Sequence, residues 1–414
     1  MPIVDAGGLI FVTTWFEHLN FDELLFSGLL DLPWWGYVVV ALGLTHVTIV
    51  AVTVYLHRHQ THRALDLHPW VSHFLRLWLW LTTGMVTREW VAVHRKHHAK
   101  VETPEDPHSP QILGLERVLW TGVVLYVKAT RDRDAIDRYG HGTPDDWLER
   151  NFYSSRNFLG LTLFGFIDVV LFGVVPGAFI FLTQIAWIPF WAAGVINGVG
   201  HFWGYRNWGT KDASTNIVPW GVLIGGEELH NNHHTYPTSA KFSVKPYEFD
   251  IGWIYISLLE KAGLARVKKT PPKLQLGSVR PVADEKTLEA LIANRYEVMA
   301  SYANDLRRAC KAEIETIKAR RGDVGVLLAA KRWLPRDADK VPAEAMPQLA
   351  EARAAHPVLD KMVTMREELR QFWLNRSQSR EQLAADLQGW CRRAEDSGIA
   401  ALRDFSLRLR AAHA

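Results

Sequence analysis

Residues 35–63 read WGYVVVALGLTHVTIVAVTVYLHRHQTHR: from Trp35 to Tyr55 there is no Asp, Glu, Lys or Arg, and His57-Arg58-His59-Gln60-Thr61-His62-Arg63 follows almost at once. A helix crossing the hydrocarbon core of a bilayer needs about 20 apolar residues. The stretch therefore predicts a span that delivers two histidines, five apart, to one membrane face.

Working outward, Phe158 to Trp203 is long enough for a hairpin of two spans, with Asp168 as its only formal charge and a break expected around Thr183, Gln184 and Pro189. Trp70 to Val93 is rich in Leu and Trp but carries His73, Arg76, Arg88 and Glu89, and charges at the bilayer centre are costly. No Lys or Arg precedes Arg58, whereas Asp5, Glu17, Asp22, Glu23 and Asp31 do; Arg63, Arg95, Lys96 and Lys100 come after it. Cytoplasmic loops carry the excess of basic residues, which puts the N-terminus outside and Arg58 inside. Residues 112 to 129 alternate Leu and Ile with Glu116, Arg117 and Lys128, as a helix in the interface would. Residues 8 to 30, interrupted by Glu17, Asp22 and Glu23, are not expected to span. The N-terminus lacks the features of a signal peptide, so Met1 onward reads as mature chain.

Composition alone hides this. The mean hydropathy of -0.06 averages an apolar first 265 residues with a charged remainder, and a balance of 47 basic and 44 acidic residues points to no nucleic-acid partner. Cys310 and Cys391 are the only cysteines, which excludes a disulfide scaffold and any Cys-x-x-Cys site. From about Lys268 the character changes. Ile292, Tyr296, Met299, Ala303, Leu306 and Cys310 follow one helical stripe that Glu313 interrupts, and helices over 358 to 376 and 379 to 412 complete a small bundle. The expected organisation is an N-terminal segment (1–32), a membrane domain (33–267) and a soluble helical extension (268–414) without a catalytic motif. The fold class is an all-α integral membrane protein with few transmembrane helices and a histidine-rich metal domain on the cytoplasmic face.

Nine of the eighteen histidines fall into spaced groups beside the apolar segments. His57 and His62 form the first; His94, His97 and His98 stand at i, i+3 and i+4, as do His230, His233 and His234, so each triplet leaves one helix face. His201 closes the hairpin, with Asn197 one helical turn before it. Imidazole suits iron, zinc and copper, and nine imidazoles exceed what one metal uses but fit two with four or five ligands each. A single His-x-x-His-His is weak evidence; two triplets and a pair beside a span are much stronger. Groups sharing a metal must lie on one side of the membrane, so Trp70 to Val93 is expected to enter and leave on the same face. Asn197 is read as holding a metal-bound water, against a helix-helix hydrogen bond in the membrane as its plain alternative. Metal-bound imidazoles usually donate their other N–H to a carboxylate; Glu227, Glu228 and Asp106 are the first candidates, with Glu89, Glu102 and Asp212 also near. His46 reads as a packed histidine within the span; His59, His68, His73, His108 and His141 read as supporting or surface groups.

These residues resemble the membrane fatty acyl desaturases, in particular the stearoyl-CoA Δ9 type in a bacterial form, over roughly residues 33 to 265. The resemblance rests on His57 to Arg63, on Glu89-Trp90 leading to His94-Arg95-Lys96-His97-His98, on Asp106-Pro107-His108-Ser109, on Asn197 with His201, and on Glu228-Leu229-His230-Asn231-Asn232-His233-His234. It implies that the nine histidines bind two irons and that Asn197 holds a water on one of them. It also implies dioxygen as co-substrate, a fatty acyl thioester, acyl-CoA foremost, and a cis double bond nine carbons from the carboxyl end. The chain shows no His-Pro-Gly-Gly haem motif, so electrons are expected from a separate donor of ferredoxin or cytochrome type with its reductase. The expected site is the inner membrane with the centre on its cytoplasmic face.

An unactivated methylene has no acidic proton, so a metal-oxygen oxidant rather than acid–base chemistry must begin such a reaction. Arg58, Arg63, Arg95 and Lys96 are candidates to face an acidic carrier or the phosphates of coenzyme A, or else simply mark orientation. A membrane di-iron hydroxylase of alkyl, sterol or carotenoid substrates would share the histidine spacing, and would release an alcohol rather than an alkene. A metal transporter would need polar residues along its spans, which are few. The extension also allows a reading of the chain as an assembly factor or scaffold.

Overall fold

The computed structural model describes residues 25–374 and 377–413. Most of the predicted N-terminal segment, including the expectation for residues 8 to 30, lies outside the described residues. The chain divides into two compact units between Pro271 and Pro272, within the Lys268-Lys269-Thr270-Pro271-Pro272 stretch where apolar sequence gives way to charged.

In the first unit α1 (Trp34–Val50) runs without a break into a π-helical segment, Ala51–Thr61. The two make one 28-residue helix long and apolar enough to cross a bilayer. Helix α2 (Pro69–Thr83) begins at His68, whose side chain accepts from the Trp70 N–H, and ends at Gly84, which takes φ +62°. That left-handed turn, costly for a residue with a Cβ, lets α3 (Thr87–Lys100) start at once in a new direction. Trp70 to Val93 is thus a bent pair of helices and not one crossing segment. Helix α4 (Leu115–Ala129) is followed by α5 (Arg133–Tyr139).

The hairpin consists of α6 (Asn157–Phe172) and α7 (Val174–Ile188), the latter continuing as π-helical Pro189–Ile196 and a short helix, Asn197–Val199. Its break lies at Gly173, φ +86°, and not at Thr183, Gln184 and Pro189 as composition predicted. Those residues stay helical for identifiable reasons. Thr183 donates its hydroxyl to Phe179 O, Gln184 accepts from Thr48 on α1, and the N–H that Pro189 lacks falls where the helix changes to i→i+5 bonding. Val174–Val199 is the second helix long and apolar enough to span, while the apolar α6 has only 16 residues. Val39, Leu42, Phe166 and Leu182 turn outward, exposed. An apolar outer surface of this kind fits lipid. Glycines bring α4 against the end of the second span: a Cβ on Gly122 would stand 2.2 Å from Ala193 O, and one on Gly194 2.4 Å from Leu119 O. Close backbone approach through small residues is how helices pack in membranes. Helix α8 (His230–Thr235) carries the last triplet, and α9 (Ile251–Lys261) is capped by Asp250, which accepts from Trp253 N.

The second unit holds α10 (Glu285–Ala293), α11 (Arg295–Ala319), α12 (Pro357–Leu374), α13 (Arg380–Glu395) and α14 (Ala400–Arg410). Tyr302, Leu306, Met365, Leu369, Leu387, Trp390, Leu402 and Phe405 fill its core. The Tyr302 hydroxyl and Trp390 indole N–H donate to Met362 O and Met365 O, so both aromatic polar ends are satisfied. Three details differ from the periodicity. Ile292 belongs to the helix before α11, Glu313 pairs with His356 without interrupting α11, and 379 to 412 is two helices because Gly398 takes φ +71°. Cys310 and Cys391 are buried free thiols.

Candidate metal centre

The five-residue spacing of His57 and His62 is explained by the π-helix. In an α-helix, residues five apart point in widely different directions, whereas i→i+5 bonding stacks them. His62 N donates to His57 O at 3.1 Å and the two rings lie 4.8 Å apart. π-Helical turns recur at functional sites. The α-helical i, i+4 spacing on α3 does the same for His94 and His98, whose rings lie 4.7 Å apart.

The nine histidines converge as two groups. His57, His62, His94, His98 and His233 form one; His97, His201, His230 and His234 form the other, and within each group one nitrogen per ring lies within 4.8 Å of all the rest. In the first, His57 Nε2 stands 2.9 Å from His94 Nε2 and 3.2 Å from His233 Nε2, and His98 Nε2 stands 3.0 Å and 2.9 Å from the same two atoms. In the second, His201 Nε2 is 3.2 Å from His97 Nε2 and 3.0 Å from His230 Nε2. A neutral imidazole has one N–H, so these meetings cannot all be hydrogen bonds. Two ligands at right angles, each about 2.1 Å from one ion, are about 3.0 Å apart, and the observed edges match. The donor set fits two metal ions. Asn197 sits half-buried one turn before His201.

Carboxylates stand behind several rings. His57 Nδ1 meets Glu227 Oε1 at 2.7 Å, and His97 Nδ1 meets the two Asp106 oxygens at 3.0 and 3.1 Å. His234 Nδ1 lies 3.4 Å from Asp212, and His201 Nδ1 3.5 Å from Glu102. Such contacts turn Nε2 toward the metal. Burial lowers His62, His94, His98, His230 and His233 well below the ordinary 6.5, and His234 to about 3. Their lone pairs are therefore free for a metal at neutral pH. Burial would raise Asp106 and Asp212, but hydrogen bonds and charge from His97 and His234 hold both well below the usual carboxylate range.

Two sequence expectations need correction. Glu228 does not meet a histidine among the described residues; it accepts from Ile224 N and Gly226 N and closes the turn before α8. Arg58 faces neither partner nor substrate, because it is fully buried. It donates to both oxygens of Asp250 and to the carbonyls of Ala240 and Gly225, and lies 3.8 Å from the Phe242 ring centroid. Arg95, half-buried, donates to the Gln60, Thr61, Tyr139 and His141 carbonyls; Lys96 pairs with Asp132, and exposed Arg63 reaches the His141 carbonyl. His46, as expected, is bonded within the fold, to the Tyr255 hydroxyl at 2.7 Å.

Asn231 and Asn232, between the histidines of α8, carry a role that the spacing did not reveal. Asn231 Oδ1 accepts from Asn207 N and Trp208 N; Asn232 Oδ1 accepts from Asn207 and Asn216, and its amide donates to Phe242 O and Glu248. Glu248 in turn accepts from Val244 N, Lys245 N, Tyr205 and Asn207. This network clamps a helix of six residues that could not hold its own direction. The available signal was polarity itself, two amides within a buried triplet.

A family described as Fatty acid desaturase matches residues 32–249, just over half of the chain. The chain belongs to the fatty acid desaturase family and is an oxidoreductase whose histidine groups fit a di-iron centre. Delta-9 desaturase-like 3 protein of Arabidopsis thaliana is 32% identical over 232 residues, 55% of this chain and 75% of its own length. Delta-9 acyl-lipid desaturase 1 of Arabidopsis thaliana is 29% identical over 249 residues, 58% and 78% respectively. The sn-1 stearoyl-lipid 9-desaturase of Anabaena variabilis is 30% identical over 248 residues, 58% and 87%. The C-terminal extension, for which sequence reading offered no counterpart, is similar over residues 285–414 to a family described as Transposase.

Proposed function

We propose that the protein introduces a cis double bond at the ninth carbon of a long fatty acyl chain, at two irons held by the five-imidazole and four-imidazole groups, with Asn197 holding a water on one of them. Convergence of nine ring nitrogens into two groups carries this reading. Bound iron would supply, with dioxygen and two electrons from a separate carrier, the hydrogen-abstracting oxidant that an unactivated methylene demands. The balance is R–CH2–CH2–R′ + O2 + 2e⁻ + 2H⁺ → R–CH=CH–R′ + 2H2O.

The chain's own part is to hold and to exclude. Glu227 and Asp106 fix the Nδ1 protons of His57 and His97, leaving Nε2 for metal. Trp90 lies parallel to His94, ring centroids 5.1 Å apart, and Phe242 stands 4.8 Å from His233; such faces keep water from the rings. The acyl chain would lie among apolar residues of the first unit, residues 33–267 would carry the reaction, and the centre would face the cytoplasm from the inner membrane.

The acyl carrier has two readings. An acyl-CoA thioester is the first. The names acyl-lipid and stearoyl-lipid among the relatives favour a chain already on a glycerolipid, and burial of Arg58 removes one cation offered to coenzyme A. Expression in a desaturase-deficient host with positional analysis of double bonds tests the reaction. Labelled stearate appearing as the alkene first in the acyl-CoA pool or first in glycerolipids decides the carrier; an alcohol product would support the hydroxylase instead.

A further inference from the structure

The carboxylates are shared unequally between the two histidine groups. Among the described residues, His57 alone of the five-imidazole group meets a carboxylate, Glu227. In the four-imidazole group three of four rings have a carboxylate at Nδ1: His97 with Asp106 at 3.0 Å, His234 with Asp212 at 3.4 Å and His201 with Glu102 at 3.5 Å, the last an ionic approach without a hydrogen bond; His230 has a buried Nδ1 with no carboxylate against it. A carboxylate that takes up the Nδ1 proton makes the imidazole more basic and places negative charge one ring away from the metal. Both effects favour the more highly charged ion. The five-imidazole group has one more neutral nitrogen donor and two fewer carboxylates behind it.

We infer that the two metal positions are unequal, and that Glu102, Asp106 and Asp212 give the four-imidazole position the lower reduction potential, so that the five-imidazole position is reduced first. The inference rests on the di-iron reading. Each step is Fe(III) + e⁻ → Fe(II), with the electron from an added one-electron reductant and no bond made or broken. Exposure works the other way: the four-imidazole histidines are all buried, whereas His62, His94 and His98 are only half-buried. Water nearer the five-imidazole position would favour its ferric form. Charges one ring away in a buried setting outweigh the partial wetting of three ring edges, because the interior screens them weakly.

The test is an anaerobic potentiometric titration of the full-length, iron-loaded protein in detergent or nanodiscs, followed by Mössbauer spectroscopy of 57Fe. Two one-electron steps are expected. Asp212→Asn should raise the lower potential by a factor of about ten in the equilibrium constant, about 59 mV for one electron, and leave the upper one in place; Glu227→Gln should raise only the upper. Glu102→Gln, at a more exposed carboxylate, keeps the experiment decisive if Asp212→Asn does not fold, and Asp212→Glu should restore the wild-type value. One indivisible wave, or Asp212→Asn and Glu102→Gln moving the upper step, would overturn the inference. Protein that takes up no iron at all would instead overturn the di-iron reading, before any potential is measured.

Discussion

The two units bury opposite things. The C-terminal unit hides Tyr302, Leu306, Leu369, Leu387, Trp390 and Phe405, and lets its charged residues pair at the surface. The membrane unit presents much of its apolar surface outward and hides polar groups: His57, His97, His201, His230 and His233, the Arg58–Asp250 pair, Glu227, Glu248, Asn216, Asn231 and Asn232 among them. Burial of unpartnered polar groups is costly, and the first unit offsets it at its key positions with specific neighbours, Asp250 for Arg58, Glu227 for His57 and Asp106 for His97. The difference shows where selection for chemistry replaces selection for packing alone.

The largest expected effect breaks the membrane unit at its rings. His97→Ala or His233→Ala should abolish double-bond formation while the protein remains in the membrane fraction; unchanged unsaturated product would remove these rings from the reaction. Trp390→Ala sharpens the contrast. Loss of a large buried side chain should destabilise the second unit by about 3–5 kcal/mol, seen as a shift in its unfolding transition, with iron content unaltered. Parallel loss of iron would mean that the units depend on each other.

Arg58→Ala leaves Asp250 buried without its partner, and should destabilise the first unit by about 3–5 kcal/mol in denaturant titrations. Arg58→Lys should not restore it, because one ammonium cannot reproduce the forked contacts to Asp250, Ala240 and Gly225. A stability unmoved by either change would make the pair incidental.

Proton linkage gives the next effect. In the folded state burial holds His62, His94, His98, His230 and His233 below 6.5 and His234 at about 3, so the unfolded chain binds more protons in that window and stability must fall as pH drops below about 6.5. Bound metal competes with protons for the same nitrogens, so the melting temperature of the iron-loaded protein should be higher at pH 7 and should fall at least as steeply between pH 6.5 and 4.5 as that of the chelated protein. A flatter decline with iron bound would contradict the assignment. The smallest effect is Gly122→Ala: the added methyl meets Ala193 O and should cost about 1–3 kcal/mol as overpacking, read in thermal unfolding; a neutral result would mean that the helices separate easily.

The first span and the histidine groups were legible because each depends on local spacing: a charge-free run, and rings three, four or five residues apart. The five-residue spacing of His57 and His62 reads as a pair at one membrane face, and only the i→i+5 bonding of the π-helix explains how the two rings meet. What was not legible depends on partners far along the chain. Arg58 looked like a surface cation beside a span, and only Asp250, 192 residues later, makes it a clamp. Glu228 and Glu227 are neighbours in sequence, yet the turn at Gly225 and Gly226 sends one to His57 and the other to backbone N–H groups. The hairpin break was misplaced because polar side chains inside a membrane bond to neighbouring helices, as Gln184 does with Thr48, while a glycine in an apolar run attracts no notice.

Metal content decides the account most directly. Full-length protein purified from membranes grown with iron, assayed by inductively coupled plasma mass spectrometry against amino-acid analysis, should carry two irons per chain, one for each histidine group. Iron well below one per chain after loading under anaerobic conditions would show that the converging imidazoles do not form the centre described.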